Sequence, residues 1–376
     1  MSLRTAARRF VVPPTRFAAR AVVRGRTSRW TEHSRLFTLG DRRSWSVEED
    51  AAHLAATARR LGFEVAPARW APFAERQTVF HASHFEALTA RWLESSHRLG
   101  VAYLHGRPGT PGHPEFGASF ETLRRHPDRL ARIQVTHAEM HELVLSAGVD
   151  PARVFRIPIG IDLENFPRVD AERRAEARRV LDLGESAFVV GSFQKDGVGW
   201  GEGLEPKLIK GPDVLIASLQ AMQADVPELV VLLTGPARGY VLKALDGLGI
   251  PHRHLVARSR GELARAYRTL DVYIVPSRQE GGPKGVLEAM ASGVSLVTTR
   301  VGQAQDLVED GRNGYLVDVE DADAIAEAVR RVHGDRDLAL AMTRTGRVTA
   351  EQHAYEHLDH DWEQLLEGFV ARGKST

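Results

Sequence analysis

Two glutamates, Glu280 and Glu288, stand eight residues apart in residues 271–298, where a buried strand ends, a glycine-rich loop follows and a helix begins near Pro283. One carboxylate lies on the loop and the other about a turn and a half into the helix, so both can face the same cleft. The three glycines between them let a ligand approach the backbone. The free amides at a helix start attract anions such as a diphosphate.

Glu288 is set in an otherwise apolar helix, where a carboxylate without partners is costly. It needs hydroxyls or a cation, and the vicinal hydroxyls of a ribose can both donate to one carboxylate. Lys284 adds a cation at the same helix start. The alternative is that Glu288 points to solvent and Glu280 is an ordinary loop charge. The order of strand, glycine loop and helix favours a ligand site.

Lysines follow another strand of the same half. Lys195 lies in the loop after the strand predicted at 187–193, and Lys210 lies just before the next helix. Both are expected at the carboxyl edge of a parallel sheet, where such folds bind ligands. They can therefore converge on one anion. Lys207 competes with Lys195 for this role, and solvated surface lysines are the alternative for both.

In the N-terminal half, His105 is the best candidate for a site residue, because it ends a strand and precedes Gly106 in a loop rich in proline and glycine. A structural, hydrogen-bonded histidine is the alternative. Weaker candidates with no motif around them are His81, His84, His113 and His137.

The elements that position these residues alternate between strand and helix in both halves, which indicates α/β domains with parallel sheets. Helices are predicted at residues 47–61 and 84–98, and a helix starts at Pro212. The second half has strands predicted at 187–193, 228–234, 271–275, 294–298 and 314–317, and it is helical past residue 321. The predicted divisions are an arm at 1–30, an N-terminal domain at 31–166, a donor domain at 167–350 and a final helix at 351–376.

Composition narrows the function classes. The chain has 376 residues, a net charge of +1 and no cysteine, which excludes a thiol nucleophile and thiolate metal sites and gives no reason to expect nucleic acid as a partner. The arginine-rich arm at 1–30 lacks a secretory signal and is expected to be disordered or to meet anionic lipid. We expect a cytoplasmic protein, with peripheral contact at the inner face of a membrane as an option. A dinucleotide-binding glycine motif with its acid and a P-loop are both absent from the sequence.

The segment EGGPKGVLE, preceded by VPS and followed by AMASGVSLVTT and VGQAQDLVEDGRNGYLV, resembles the retaining glycosyltransferases of family four, also called group 1. The resemblance is strong over residues 157–329. It implies the GT-B fold, an α/β class with two Rossmann-like domains facing across a cleft, and a final helix that crosses back to the N-terminal domain. It also implies transfer of a sugar from a UDP- or GDP-sugar to a hydroxyl of a glycan, glycolipid or small molecule, with retention of configuration and no protein nucleophile.

The resemblance also assigns roles. Glu288 should bind the donor ribose, and Glu280 should sit beside the donor sugar. The amides near Gly285 and Val286 should meet the diphosphate, together with Lys284. The pair Lys195 and Lys210 should replace a metal ion, so that no metal and no further cofactor is required.

The same resemblance makes His105, Glu280 and Lys210 the expected catalytic residues, with His105 in contact with the donor sugar. Gly40 should lie near the diphosphate, in a loop whose Arg42 and Arg43 either meet an anionic acceptor or are solvated. A pathway of glycan, polysaccharide or glycolipid synthesis is expected. The alternatives are a non-catalytic subunit that binds a sugar nucleotide and another GT-B enzyme, such as a sugar-nucleotide epimerase or a phosphorylase.

Overall fold

The structure is a computed structural model that describes Gly25, Thr27 and residues 30–41 and 45–372, with the side chain of Trp45 left aside. Most of the predicted arm at 1–30 lies outside these residues, as do Arg42 and Arg43. Among the described residues, no helix is both long enough and apolar enough to cross a membrane.

The first sheet has five strands in the order β1-β2-β3-β4-β5, and the first three pair in parallel. All four residues of β2 are buried, as expected for a parallel strand covered on both faces. The strands are β1 (Leu36–Leu39), β2 (Thr78–His81), β3 (Arg98–Ala102), β4 (Leu130–Val135) and β5 (Val154–Arg156); the helices are α1 (Trp45–Arg60), α2 (His84–Ala87), α3 (Ala90–Leu93), α4 (Pro114–Arg125) and α5 (Ala138–Ser146).

The helix predicted at residues 84–98 is wrong. Two short helices, α2 and α3, stand there, and Arg98 already begins β3. The guanidinium of Arg129 donates to the backbone carbonyls of Leu93, Ser95 and His97 at 2.6 to 3.1 Å. These long-range hydrogen bonds hold the segment after α3 in an irregular path and override its local helical pattern.

The second sheet has six parallel strands in the order β11-β10-β9-β6-β7-β8. Its strands are β6 (Phe188–Ser192), β7 (Leu229–Thr234), β8 (His252–Leu255), β9 (Val272–Val275), β10 (Ser295–Thr299) and β11 (Tyr315–Val317). Its helices are α6 (Ala171–Val180), α7 (Pro212–Met222), α8 (Gly239–Leu248), α9 (Arg260–Arg268), α10 (Lys284–Ser292), α11 (Ala304–Leu307), α12 (Ala322–Gly334), α13 (Arg336–Gln352) and α14 (Asp359–Leu366). The five strands expected in this half are confirmed, and β8 is an addition.

The cores of this sheet lie on its two faces. Val189 of β6 belongs to one buried cluster, with Met290 of α10, and Val190 belongs to the other, with Leu215 of α7 and Val329 of α12. Successive residues of a strand point to opposite faces, so helices cover the sheet on both sides.

The chain divides into two compact units. The first comprises residues 1–102, 126–133 and 362–376, and the second comprises residues 103–125 and 134–361. Within the first unit, the end of the chain packs on β2, since Thr78 Oγ1 donates to the carbonyl of Phe369 at 3.0 Å and the rings of Phe80 and Trp362 lie 6.0 Å apart. Gly40 and the weaker candidates His81 and His84 fall within the first unit, whereas the other predicted site residues that the structure describes fall within the second.

Candidate functional site

Two loops start from neighbouring points at the carboxyl edge of the second sheet. Strands β6 and β9 are adjacent, with Val190 paired to Val272. Because both strands run in the same direction, the loop 193–211 after β6 and the loop 276–283 after β9 leave the sheet side by side. This edge is where open parallel sheets bind ligands.

Lys210 and Glu280, one from each loop, form an ion pair. The Lys210 ammonium lies 2.6 Å from both carboxylate oxygens of Glu280, and Ser277 Oγ lies 2.8 Å from Oε1. The Lys210 side chain is 24% exposed and that of Glu280 is 12% exposed, so a ligand can reach the pair. Gly211 follows in the left-handed conformation, with φ at 64°, and turns the chain into α7.

Hydrogen bonds between the two loops fix the positions of Lys210 and Glu280. The Gln194 amide donates to the carbonyl of Lys210 at 2.5 Å, and Ser277 Oγ lies 3.1 Å from Gln194 Oε1. The Arg278 guanidinium makes two contacts with the Asp213 carboxylate at 2.7 and 2.8 Å, which ties the second loop to the first turn of α7. Both loops are therefore fixed to each other beside the ion pair.

Two further lysines lie near this ion pair, Lys207 beside it and Lys195 beside Lys207. Burial lowers the pKa of Lys207, an effect that Lys210 and Lys195 reinforce and Glu280 opposes. Burial also lowers the pKa of Lys195, whose ammonium lies 4.5 Å from the centre of the Trp200 ring. Lys207 thus joins Lys210 and Glu280 in one cluster, with Lys195 and Glu115 as further charged neighbours of Lys207.

The glycine-rich insertion that carries Lys195 and Lys207 has a defined conformation. The Val198 amide donates to the Glu205 carbonyl at 2.9 Å, which closes a hairpin, and the Gly239 amide donates to the Glu202 carbonyl at 2.8 Å. At Gly203, with φ at 73°, a Cβ would lie 2.2 Å from backbone atoms of residue 237. Only glycine allows the hairpin to lie this close to the turn between β7 and α8.

A buried ion pair lies beneath this insertion. Arg238 Nε and Asp196 Oδ1 are 2.9 Å apart, and neither side chain is exposed. The same guanidinium donates to the carbonyls of Ser192 and Thr234 at 2.7 and 3.0 Å, at the ends of β6 and β7. The Lys207 amide in turn donates to the carbonyl of Asp196 at 2.7 Å. The position of Lys207 is therefore set by the sheet edge.

His105 belongs to the same cluster. Burial, reinforced by Lys210 and Lys207 and opposed by Glu280, lowers its pKa to about 4. Its ring meets the edge of Phe116 in α4, with ring centres 5.7 Å apart. Gly106 follows at a φ of 115°, a conformation that other residues rarely adopt.

The other histidine candidates occupy different surroundings. His113 stacks on Phe116 and pairs with Glu115 at 2.8 Å, while His137 adjoins Thr136, whose hydroxyl donates to the carbonyl of Gly281 at 2.6 Å. His81 and His84 are buried in the first unit.

Protein atoms fill the space beside the two glycines of the second loop and the glycine in the first turn of α10. A Cβ at Gly281 would lie 2.6 Å from Leu104 Cβ, and one at Gly282 would lie 2.6 Å from Ile159 Cδ1. At Gly285 it would lie 2.5 Å from the hydroxyl of Tyr273. These glycines therefore permit close packing of protein segments, whereas the sequence pattern indicated room for a ligand.

Helix α10 begins beside these glycines. Its N-cap residue, Pro283, makes no side-chain hydrogen bond to the first turn, and the Val286 amide donates to the Pro283 carbonyl at 3.0 Å. Lys284 is the first helical residue and is half-buried, and Gly285 follows it. Contact between this turn and a diphosphate remains a prediction.

Glu288 has two protein partners that the sequence analysis missed. Arg260 donates to Oε1 at 2.6 Å and the Tyr267 hydroxyl donates to Oε2 at 3.0 Å, while Glu288 is only 6% exposed. Both partners lie on α9, seven residues apart, which puts them on the same face of that helix. This spacing, with Ser259 as an N-cap ahead of it, is the sequence signal that was available.

Gly40, in the first unit, ends up against an acidic side chain. A Cβ at this position would lie 2.6 Å from the carboxyl carbon of Glu48 in α1. A carboxylate at this point disfavours an anion, although the proposed contact between Gly40 and a diphosphate remains a prediction.

Comparison with known proteins places this chain. The sequence model described as "Glycosyl transferases group 1" matches residues 202–335. The D-inositol 3-phosphate glycosyltransferase 1 of Catenulispora acidiphila is 32% identical over 326 residues, which cover 79% of this chain and 72% of that protein. The chain belongs to the group 1 glycosyltransferase family. The D-inositol 3-phosphate glycosyltransferase of Geodermatophilus obscurus is 34% identical over 67% of this chain, but the match spans only 53% of that relative's length.

Solved structures agree with this family assignment at the level of the fold. HepE from Anabaena, solved in complex with UDP-glucose, has a TM-score of 0.71 at 16% identity, covering 89% of this chain and 99% of that one. Sucrose-phosphate synthase from Thermosynechococcus elongatus has a TM-score of 0.63 at 20% identity, covering 77% and 73%. The GT-B class expected for this group 1 family member, with two parallel α/β domains, is confirmed.

Proposed function

We propose that this chain transfers a sugar from a nucleoside diphosphate sugar to a hydroxyl acceptor, with retention of the anomeric configuration. The observation that carries the proposal is the cluster of Lys210, Glu280, Lys207 and His105 at the carboxyl edge of the second sheet. It offers cations for a diphosphate next to a carboxylate and an imidazole suited to sugar hydroxyls.

The diphosphate takes over the ammonium groups of Lys210 and Lys207. In the resting state Lys210 is held by Glu280 at 2.6 Å, so it is already aimed at the site before a donor arrives. As the anomeric bond breaks, negative charge grows on the phosphate oxygens, and cations fixed in advance stabilise it without reorganisation. The start of α10 adds amide dipoles of the same sign.

Glu280 and His105 then serve the sugar. When the diphosphate draws Lys210 away, the Glu280 carboxylate becomes an acceptor for sugar hydroxyls. With a pKa of about 4, His105 is neutral near pH 7 and offers one donor and one acceptor nitrogen without adding charge. The leaving phosphate oxygen takes the proton of the acceptor hydroxyl, so the reaction needs no protein nucleophile.

Independence from metal ions is part of this proposal, because lysines supply the positive charge. Among the described residues, no group of three or more metal-ligating side chains is present. The test is turnover in the presence of a chelator, with added magnesium or manganese as the comparison. Restoration of activity by either ion would overturn this part.

The comparisons supply the first substrates to try. UDP-glucose is the donor bound by HepE, and the relatives are named for D-inositol 3-phosphate, a small phosphorylated polyol. We therefore propose UDP-glucose as the first donor and a small hydroxyl acceptor of that kind, with GDP-sugars and glycan or glycolipid acceptors as further arms. The cytoplasmic location, peripheral membrane contact and biosynthetic pathway remain predictions.

The deciding experiment combines binding with turnover. Thermal shifts with UDP, GDP and ADP identify the nucleotide, and release of diphosphate with and without acceptors, with NMR of the product's anomeric proton, tests transfer and retention. Glu288→Ala should weaken nucleotide binding, whereas Glu280→Ala should lower kcat more than affinity. Lys243→Met, at an exposed lysine of α8, is the control.

Three results would contradict the proposal. Nucleotide binding without diphosphate release for any acceptor would indicate a non-catalytic subunit. Conversion of the nucleotide sugar without an acceptor would indicate an epimerase. Inversion at the anomeric carbon would refute the retaining mechanism.

A further inference from the structure

The carboxylate of Glu288 is held from two sides by one helix. Arg260 Nη1 donates to Oε1 at 2.6 Å, and the Tyr267 hydroxyl donates to Oε2 at 3.0 Å. One hydrogen bond to each oxygen fixes the plane in which the carboxylate lies.

The two partners differ in access to solvent. Tyr267 is completely buried, whereas the side chain of Arg260 is 21% exposed and that of Glu288 is 8% exposed. Arg260 therefore lies on the side of the carboxylate that solvent, and hence a ligand, reaches. Its guanidinium carbon also lies 6.0 Å from the centre of the Phe166 ring, which restricts the directions in which it can point.

Tyr267 forms the rigid base of this arrangement. Burial raises its pKa well above the ordinary value, and the neighbouring Tyr273 and the negative charge of Glu288 add to this, so the hydroxyl remains a donor. Its ring lies 5.0 Å from that of Tyr273, whose hydroxyl occupies the space beneath Gly285. Glu288 is thereby connected to the first turn of α10.

We infer that Arg260 and Tyr267 are positioning residues for the donor ribose, acting through Glu288. They hold the carboxylate so that its oxygens meet two vicinal hydroxyls of the ribose. The inference rests on the proposed function, since it requires that Glu288 binds the ribose. It adds two residues that favour binding of the ribose without contacting the nucleotide themselves.

The test compares nucleotides that differ only in the ribose. Calorimetry measures the affinity of UDP, 2′-deoxy-UDP and 3′-deoxy-UDP for the full-length protein, with GDP and its deoxy forms where the wild type prefers guanine. Arg260→Met should lower the affinity for the ribonucleotide about tenfold, the scale of one hydrogen bond to a charged group, and leave the deoxynucleotides within about twofold. Arg260→Lys should restore part of the preference, because it keeps the charge. Tyr267→Phe should reduce the preference in the same direction.

The controls separate positioning from direct contact and from folding. In a Glu288→Ala background, Arg260→Met should not change the affinity for any nucleotide further, because the carboxylate that Arg260 positions is absent. Arg330→Met removes an arginine of similar exposure that pairs with Asp225 and Glu327 in the same unit, and it should leave the ribose preference unchanged.

Two outcomes would overturn the inference. Arg260→Met could weaken ribonucleotide and deoxynucleotide equally and add to Glu288→Ala, which would mean that Arg260 contacts the phosphates or the base. It could also leave every affinity unchanged. Absence of sugar transfer by the wild type is a separate result. It would contradict the proposed function, and it would be seen before any variant is made.

Discussion

Replacing Lys210 by methionine removes the ammonium group on which the proposed reaction depends most. An ammonium about 3 Å from a phosphate oxygen gains about 5 kcal/mol per unit charge at an effective dielectric constant of about 20. Lys210 is 24% exposed, so desolvation and solvent screening cancel part of this gain. About 3 kcal/mol of transition-state stabilisation should remain, a loss of about two orders of magnitude in kcat for Lys210→Met.

The structure also predicts how this loss divides between binding and turnover. Without Lys210, the Glu280 carboxylate keeps Ser277 but loses its cation, and it then repels the incoming diphosphate. UDP affinity should therefore fall in Lys210→Met and recover in part when Glu280→Gln is added, while kcat stays low in both. The free energy of unfolding should fall by about 3 kcal/mol, since a largely buried pair is broken while Glu280 keeps its hydrogen bond from Ser277. Thermal unfolding checks that the variant is folded.

Steady-state kinetics with UDP-glucose, calorimetry with UDP and thermal unfolding measure these three quantities. Lys243→Met provides the comparison for a lysine outside the cluster. A kcat for Lys210→Met within threefold of this control would refute the assignment of Lys210. Recovery of kcat in the double variant would show that repulsion by Glu280, and not loss of charge stabilisation, explains the defect.

Three further comparisons, made with five substitutions, test the surroundings of this pair. Lys207→Met should weaken UDP binding by about tenfold and Lys195→Met by less, because the ammonium of Lys195 is engaged with an indole ring; equal effects by calorimetry would count against this ranking. Gly285→Ala should lower both the melting temperature and UDP affinity, since its Cβ would lie 2.5 Å from a side-chain oxygen, whereas Gly247→Ala, with open space around it in a helix, should stabilise by about 0.5 to 1 kcal/mol. Below pH 6.5 the unfolded His105 takes up a proton that the folded form refuses until about pH 4, so wild type should lose up to about 1 to 2 kcal/mol between pH 7 and 5 that His105→Gln retains; parallel unfolding curves for the two would contradict this.

The second sheet could be predicted from the sequence because its strands are buried on both faces. β7 is an unbroken apolar run up to Thr234, the signature of a parallel strand covered by helices on both sides. β8 gave no such signal, because its residues are half-buried or exposed and include His252, Arg253 and His254 at the edge of the sheet. A strand buried on both faces needs apolar residues and is recognisable from them, whereas an edge strand can carry polar residues and is not.

The site was predictable where neighbouring strands deliver residues to one sheet edge, as with Lys210 and Glu280. Their separation of 70 positions mattered little, since sheet order brings the two loops together. The partners of Glu288 could not be found this way, because Arg260 and Tyr267 reach it from a helix face and their types fit many other roles. The wrong helix prediction at residues 84–98 has a similar origin, because the hydrogen bonds that determine its structure come from Arg129, which is remote in sequence.

The distribution of charge along this edge suggests how a donor is oriented. Lys210 and Lys207 stand beside Glu280, and Lys195 and Glu115 stand beside Lys207, which leaves three positive charges against two negative ones for a diphosphate. At Glu288 the carboxylate is paired with Arg260, which offsets its charge and suits that end to hydroxyls. A nucleoside diphosphate sugar placed with its ribose at Glu288 and its phosphates at the lysines satisfies both ends. The donor itself breaks the contact between Lys210 and Glu280, so the carboxylate is released to the sugar only when the phosphates are already held.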